Sequence, residues 1–246
     1  MSIDWDQTLG WSPAPVQVEK FEHLYSLLLA ANQSVNLTRL TTPEDFLEKH
    51  LWDSLAGLQP WLVSHDKTMG TQLSSRAVQS AIDIGTGGGF PGIPAAIAFP
   101  NWQVALLDSI TKKVQCLGQI LEQLKLSNAE ALCDRAENLA RQANRRGQYD
   151  LALIRAVAAA PVCAEYAIPL VREQGVVVLY RGQWEKQETD RLEQALEQLG
   201  GELCHIQRFQ TPVSGGDRHC IYLKKVAPTP ERYPRRAGVP AKKPLG

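Results

Sequence analysis

The chain has 246 residues, 44% of them hydrophobic and 21% charged, with 26 basic residues against 26 acidic ones. That is ordinary globular composition, and the length suits one large domain or a domain with a small extension. The longest apolar runs fall far short of a membrane span, and Met1-Ser2-Ile3-Asp4-Trp5-Asp6 is acidic and lacks a signal-peptide core, so a cytoplasmic protein is expected.

In chain order, Pro15–Ala31 reads as an amphipathic helix, because Val18, Phe21, Tyr25 and Leu28 recur at helical spacing. A second helix is expected over Pro43–Leu58. Thr42 can cap it, Pro43 fits its first turn, and Glu44 and Asp45 favour its positive end. Residues 64–78 are polar and loop-like. Alternation follows. Strands fit near Ser80–Ile84, Gln103–Asp108, Ala129–Cys133, Asp150–Ile154, Gly175–Tyr180, Glu202–Thr211 and His219–Lys225. Helices fit near Pro91–Ala98, Thr111–Lys125, Ala136–Asn144, Pro161–Val171 and Trp184–Leu199. This pattern argues for a mostly parallel sheet covered on both faces. The last two strands are joined through Pro212–Gly216 without a helix, so they should pair antiparallel. From Ala227 onward five prolines and the lack of periodicity suggest an extended tail.

The five cysteines are scattered with no C-x-x-C, and Cys204-His205 and His219-Cys220 lie in strand-like alternation, so no metal site is expected. Charge is uneven. Residues 224–246 hold seven basic residues against Glu231 alone, which suits an anionic partner or a solvated terminus.

The chemistry concentrates in Ala81-Ile82-Asp83-Ile84-Gly85-Thr86-Gly87-Gly88-Gly89-Phe90-Pro91-Gly92. A strand, a glycine turn, a helix, a second strand and then Asp108 form the layout of a nucleotide-cofactor site. The carboxylate of Asp108 can accept hydrogen bonds from both ribose hydroxyls. A dinucleotide fingerprint needs a third glycine where Phe90 stands. Asp83 at the strand end disfavours a pyrophosphate and suits the cationic S-adenosylmethionine better. Nicotinamide and flavin remain the alternatives on this chemistry, and a ligand-free turn is disfavoured by the entropy cost of successive glycines. Strand ends bearing Gly85 to Phe90, Asp108-Ser109, Asp134 to Glu137 and Arg155-Ala156 should converge on one crevice. Glu137 can serve a ligand or its own helix N-terminus.

Asp83 through Pro94, with its Phe-Pro-Gly-Ile-Pro continuation, resembles the donor loop of the bacterial small-subunit ribosomal RNA guanine-N7 methyltransferases, the RsmG (GidB) family. Asn36-Leu37-Thr38, Lys49-His50-Leu51-Trp52-Asp53-Ser54-Leu55, Leu106-Leu107-Asp108-Ser109, Lys112-Lys113-Val114, Arg135-Ala136-Glu137, Arg155-Ala156 and Tyr233–Gly238 match in order. Arg181-Gly182 departs from the Lys-Gly of many members, and the polar stretch 67–76 looks longer than usual. The resemblance implies a Rossmann-like class I S-adenosylmethionine-dependent methyltransferase fold of α/β class. Its sheet would be seven-stranded and mostly parallel with an antiparallel last pair, preceded by N-terminal helices. The division implied is 1–64 for the helical extension, 80–226 for the methyltransferase domain and 227–246 for a basic proline-rich tail. Donor contacts are implied at Gly85, Phe90, Ala136, Glu137 and Arg155, with Asp108 at the ribose; Asp83 and Gly87 belong to the same loop.

The implied acceptor is a guanine in small-subunit ribosomal RNA, free or in an assembling subunit, methylated by a monomer. Guanine N7 carries no proton, so no general base is needed, and His50 and Asp53 are the candidates for the acceptor side. RNA phosphates are expected to meet the basic tail and Arg135, Arg141, Arg145 and Arg146. The rival readings are a small-molecule methyltransferase on the same fold, which needs an enclosed apolar acceptor pocket, and a non-catalytic RNA- or partner-binding protein.

Overall fold

The computed structural model describes residues 3–63, Leu73 and 77–246. Most of the polar stretch 64–78, including the longer segment at 67–76, therefore lies outside the described residues; Leu73 is helical and buried.

Seven strands form one sheet: β1 (Ser80–Ile84), β2 (Gln103–Asp108), β3 (Ala129–Cys133), β4 (Tyr149–Arg155), β5 (Val171–Arg181), β6 (Gly201–Gln210) and β7 (Asp217–Lys225). Their order is β3-β2-β1-β4-β5-β7-β6. The first five strands pair parallel, and β7 is antiparallel to both β5 and β6. This is the expected architecture, with the antiparallel pair joined by the short 212–216 connection.

Period-two alternation builds two cores. Ala81, Leu106, Leu151, Leu153, Val176 and Val178 face one layer of helices. Ile82, Ala105, Leu107, Ala152, Ile154 and Val177 face the other. A strand buried on both faces reads as an unbroken apolar run, which is why β4 and β5 do. Residues Pro15–Asn32 and the helices Gly92–Ala98 and Thr111–Gln123 contribute to the first layer. The N-terminal helix is tied to the sheet layer through Gln17, whose Oε1 accepts from Ala14 N at 2.8 Å and whose Nε2 donates to the carbonyls of Ile97 and Ala98. Ala136–Leu139, Ala160–Ala167 and Lys186–Leu199 contribute to the second. Among the described residues no helix is long and apolar enough to cross a membrane.

Four expectations need correction. The helix expected over 43–58 starts as anticipated, with Thr42 Oγ1 accepting from Asp45 N at 3.1 Å. It then widens into a π-helix over Phe46–Trp52 before closing as Asp53–Ala56. Nothing in a periodicity of 3.6 announces that extra residue per turn. Second, the helix expected to Asn144 stops at Leu139 and continues as turns. Third, β5 starts at Val171, ahead of Gly175, through an irregular pairing with β4 and a left-handed Gln174 at φ 64°.

The fourth correction is the largest. Residues from Ala227 do not form a detached tail. Tyr233 is buried, and its hydroxyl donates to Gln198 Oε1 at 2.8 Å. Arg146 donates to the carbonyls of Tyr233 and Thr229, both at 2.8 Å, and Arg141 donates to that of Pro234 at 2.7 Å. A short helix, Val239–Lys242, follows. Prolines deny this stretch a regular ladder, so its carbonyls are satisfied by arginines of the body instead.

Candidate active site

The loop after β1 is held by its own acid. Asp83 is fully buried, and its Oδ2 accepts from Thr86 Oγ1 at 2.6 Å and from Gly92 N at 2.7 Å. Burial, opposed by these hydrogen bonds, pushes the carboxyl up to about 6. A Cβ on Gly92 would overlap Leu106 Cδ2 and lie 2.9 Å from Asp83 Oδ2, so the close approach of the next helix to β1 and β2 requires glycine there. Gly85 takes φ +70°, and a Cβ on it would sit 2.6 Å from Val157 Cγ2. The loop glycines thus serve both a left-handed turn and close packing.

Two cavities open beside this loop at the carboxyl ends of the strands. The first, of about 280 Å³, is lined by Gly85, Asp108, Ser109, Arg135, Ala136, Glu137, Val157, Tyr166 and Ala241, among others. Asp108 Oδ2 accepts from Gly87 N at 3.0 Å and Oδ1 from Ile110 N at 2.9 Å. Each carboxylate oxygen keeps capacity for a further hydrogen bond, which is what a ribose diol requires. Glu137 is buried and accepts from Gly238 N at 2.9 Å. Burial and the Glu137 carboxylate push the Tyr166 phenol up to about 12.

The second cavity, of about 420 Å³, is lined by Leu40, Lys49, His50, Asp53, Arg155, Ala156, Tyr180, Arg181, Gly182 and Arg218. Asp53 Oδ2 meets Arg155 Nη1 at 2.7 Å, and Oδ1 meets Arg218 Nε at 3.2 Å. Arg155 Nη1 also donates to the Lys49 carbonyl at 2.8 Å. His50 stacks on Phe90 with ring centroids 4.4 Å apart, and its Nε2 is 2.8 Å from Thr38 Oγ1. Burial, followed by the Arg155 charge, lowers the His50 imidazole to about 4, so it is neutral near pH 7. The two cavities are adjacent in sequence at the end of β4. Arg155 and Ala156 line one, Val157 and Ala158 the other, and Ala156 between them takes φ 55°. A non-glycine residue in that region stores strain of the kind found at functional turns.

Of the residues expected from sequence, Gly85, Asp108, Ala136 and Glu137 line the first cavity. His50, Asp53 and Arg155 line the second. Gly87 touches the first through its bond to Asp108, Asp83 lies beneath the loop, and Phe90 is buried between the loop and His50. Sequence reasoning missed Val157, Tyr166 and Ala241 in the first cavity and Tyr180 and Arg218 in the second. Val157 and Tyr166 follow β4 and could have been sought there. Arg218 and Ala241 arrive from distant segments and carry no local signal. Of the arginines expected on RNA, Arg141 and Arg146 also donate to tail carbonyls, and Arg145 also pairs with Glu130 at 2.9 Å and donates to Tyr149 Oη at 3.0 Å. Arg135 is exposed at the first cavity.

Comparison with known proteins bears on this geometry. The family described as rRNA small subunit methyltransferase G (GidB) matches residues 17–221. The chain is 48% identical over 245 residues to the ribosomal RNA small subunit methyltransferase G of Nostoc punctiforme, covering 100% of this chain and 97% of that protein. It is 50% identical over 243 residues to the protein of the same name from Synechococcus elongatus, covering 99% and 96%. Among solved structures, cofactor-bound Rv0187 from MTB aligns with a TM-score of 0.54 over 88% of this chain and all of that one, at 19% identity, a likeness of fold. Near-complete coverage at half identity, on a methyltransferase-type sheet with a glycine loop and a ribose-competent acid, means that the chain belongs to the ribosomal RNA small subunit methyltransferase G family, enzymes that methylate ribosomal RNA with S-adenosylmethionine.

Proposed function

We propose that the enzyme methylates N7 of a guanine in small-subunit ribosomal RNA, with the donor in the first cavity and the acceptor nucleotide in the second. The observation that carries this reading is the charge of the second cavity: Lys49, Arg155, Arg181 and Arg218 line it against Asp53, with Asp45 outside it paired to Lys49 at 2.6 Å. Cations in that ratio suit a nucleotide with its phosphates and do not suit the apolar pocket that a small-molecule acceptor would need. In the first cavity Asp108 would bind the ribose, and Gly85 and Ala136 would line the remainder. Bound S-adenosylmethionine supplies a methyl group activated by a sulfonium.

The protein's share of the reaction is alignment. Guanine N7 presents an in-plane lone pair and no proton, so the neutral His50 has no proton to remove and serves to pack and orient the base. Asp53, held by Arg155 and Arg218, places a carboxylate where positive charge develops on the guanine ring. The strained Ala156 fixes how the two cavities meet. Action on ribosomal RNA places the enzyme in the compartment of the ribosome, the cytoplasm, and we read it as a monomer. The scarcity of aromatic platforms for single strands favours an acceptor presented by the assembling subunit.

The test is transfer of labelled methyl from S-adenosylmethionine to small subunits lacking the modification, with Gly87→Arg alongside. Label mapping to a guanine N7 and lost in the variant supports the reading. Donor binding without label on subunits or naked ribosomal RNA would reject the acceptor.

A further inference from the structure

Two observations about the C-terminal segment are unexplained by methyl transfer alone. Ala241 lines the first cavity, together with residues that come from the ends of the strands and the loops and helices after them. The segment carrying it is locked by an ion pair that no surface tail requires. Glu165 is fully buried, and both of its oxygens are taken by Arg235. Arg235 Nε donates to Oε1 at 2.9 Å, Nη2 to Oε2 at 2.6 Å, and the Arg235 backbone N to Oε1 at 2.8 Å. Three residues on, Gly238 in a left-handed turn, at φ 78°, donates its N–H to Glu137, itself a wall of the cavity. A buried carboxylate without its partner is costly, so the pair sets one position for the segment.

We propose that residues 235–241 form a wall of the donor site, and that Glu165 and Arg235 are positioning residues that hold this wall in place. The inference rests on the first cavity being the donor site. Neither Glu165 nor Arg235 lines the cavity. They act through Gly238, which sets the Glu137 carboxylate, and through Ala241, which lines the edge of the cavity. The prolines and the bidentate pair limit the conformations open to the segment, so the wall is formed before the donor arrives.

The test uses the full chain. Calorimetric binding of S-adenosylmethionine is compared for the parent, Ala241→Trp, Glu165→Gln and Asp108→Asn, with affinity for donor-free ribosomal RNA measured in parallel. Ala241→Trp is expected to weaken donor binding by about tenfold or more through lost fit, with RNA affinity unchanged. Glu165→Gln should raise the donor KM while leaving kcat at saturating donor and the RNA KM in place, a split that general destabilisation would not produce. In the parent, saturating donor should slow amide hydrogen exchange across 236–242, a readout that needs no variant to fold. Loss of donor affinity in Asp108→Asn with none in Ala241→Trp, and no exchange protection at 236–242, would overturn the wall alone. Indifference of donor binding to both substitutions would overturn the assignment of the cavity. Loss of RNA affinity with intact donor affinity in Ala241→Trp would overturn the proposal in favour of an RNA-binding arm.

Discussion

His50 shows how one side chain's surroundings decide its chemistry. It packs on Phe90, bonds to Thr38 and lies 3.4 Å from the Arg155 guanidinium. Its imidazole is held at about 4, first by burial and then by Arg155. Because the folded value lies below the ordinary 6.5, the unfolded chain binds the extra proton between about pH 6.5 and 4, and stability is lost as the pH falls through that window. Asp83 works in the opposite sense. Raised by burial to about 6, it gives the folded state the extra proton between 3.8 and about 6, and that contribution is lost as the pH rises. The two nearly offset each other in the parent, so the His50 contribution must be read by difference. Urea unfolding of the parent and His50→Gln should show the stability gap between them shrinking by about 2 kcal/mol from pH 7 to about 5. A gap independent of pH would mean that His50 titrates as it does in water.

At the scale of the element, the π-helical turn is what brings Lys49, His50 and Asp53 together on the second cavity. Phe46–Trp52 runs between two short α-helical stretches and is anchored to the 213–214 loop through its own Glu48. That carboxylate is 3% exposed and accepts from the backbone N–H groups of Val213 and Ser214, both at 2.7 Å. Burial opposes its ionisation, but these N–H groups outweigh burial and hold it below the usual carboxylate range. Its stabilisation is therefore present above pH ~4.5 and lost as the pH falls below that. The loop it grips leads into β7, which carries Arg218, the second partner of Asp53. Glu48→Ala should cost about 1.5–3 kcal/mol in denaturant unfolding near pH 7 and raise the KM for RNA, with Glu48→Gln between it and the parent. An unchanged RNA KM in a destabilised Glu48→Ala would separate the grip on the loop from the acceptor site.

For the whole molecule, a net charge of zero conceals a division of labour among cations. Arg141 and Arg146 serve the carbonyls of the docked C-terminal segment, and Arg235 serves Glu165. Arg218 and Arg181 face the second cavity, and Lys242 and Lys243 are exposed near the first. Counter-ions released on RNA binding should come from these four residues. Arg218→Ala is expected to reduce the slope of log affinity against log salt by about one, read by fluorescence anisotropy with ribosomal RNA. Arg146→Ala should instead lower the unfolding midpoint and leave the slope in place.

What the sequence determined by itself is the part of the molecule written in local pattern. β1, β2 and β3 have the bounds expected, because short apolar runs and the glycine and polar breaks that bound them are local properties. The antiparallel end of the sheet followed from a connection too short for a crossover helix. The loop from Asp83 to Gly92 and the acid at Asp108 were legible because each residue type is demanded by backbone geometry or ligand chemistry within a few positions. Tertiary structure decided the rest. The π-helical turn, the separation of Arg155 and Phe90 from the first cavity, the arrival of Arg218 beside Asp53, and the docking of Tyr233 and Arg235 all join residues far apart in the chain. A prolines-and-arginines tail reads as solvated because its carbonyls have no neighbours in sequence. Only folding brings Arg141, Arg146 and Glu165 close enough to satisfy it, and buried polar groups settle where partners exist rather than where composition would leave them.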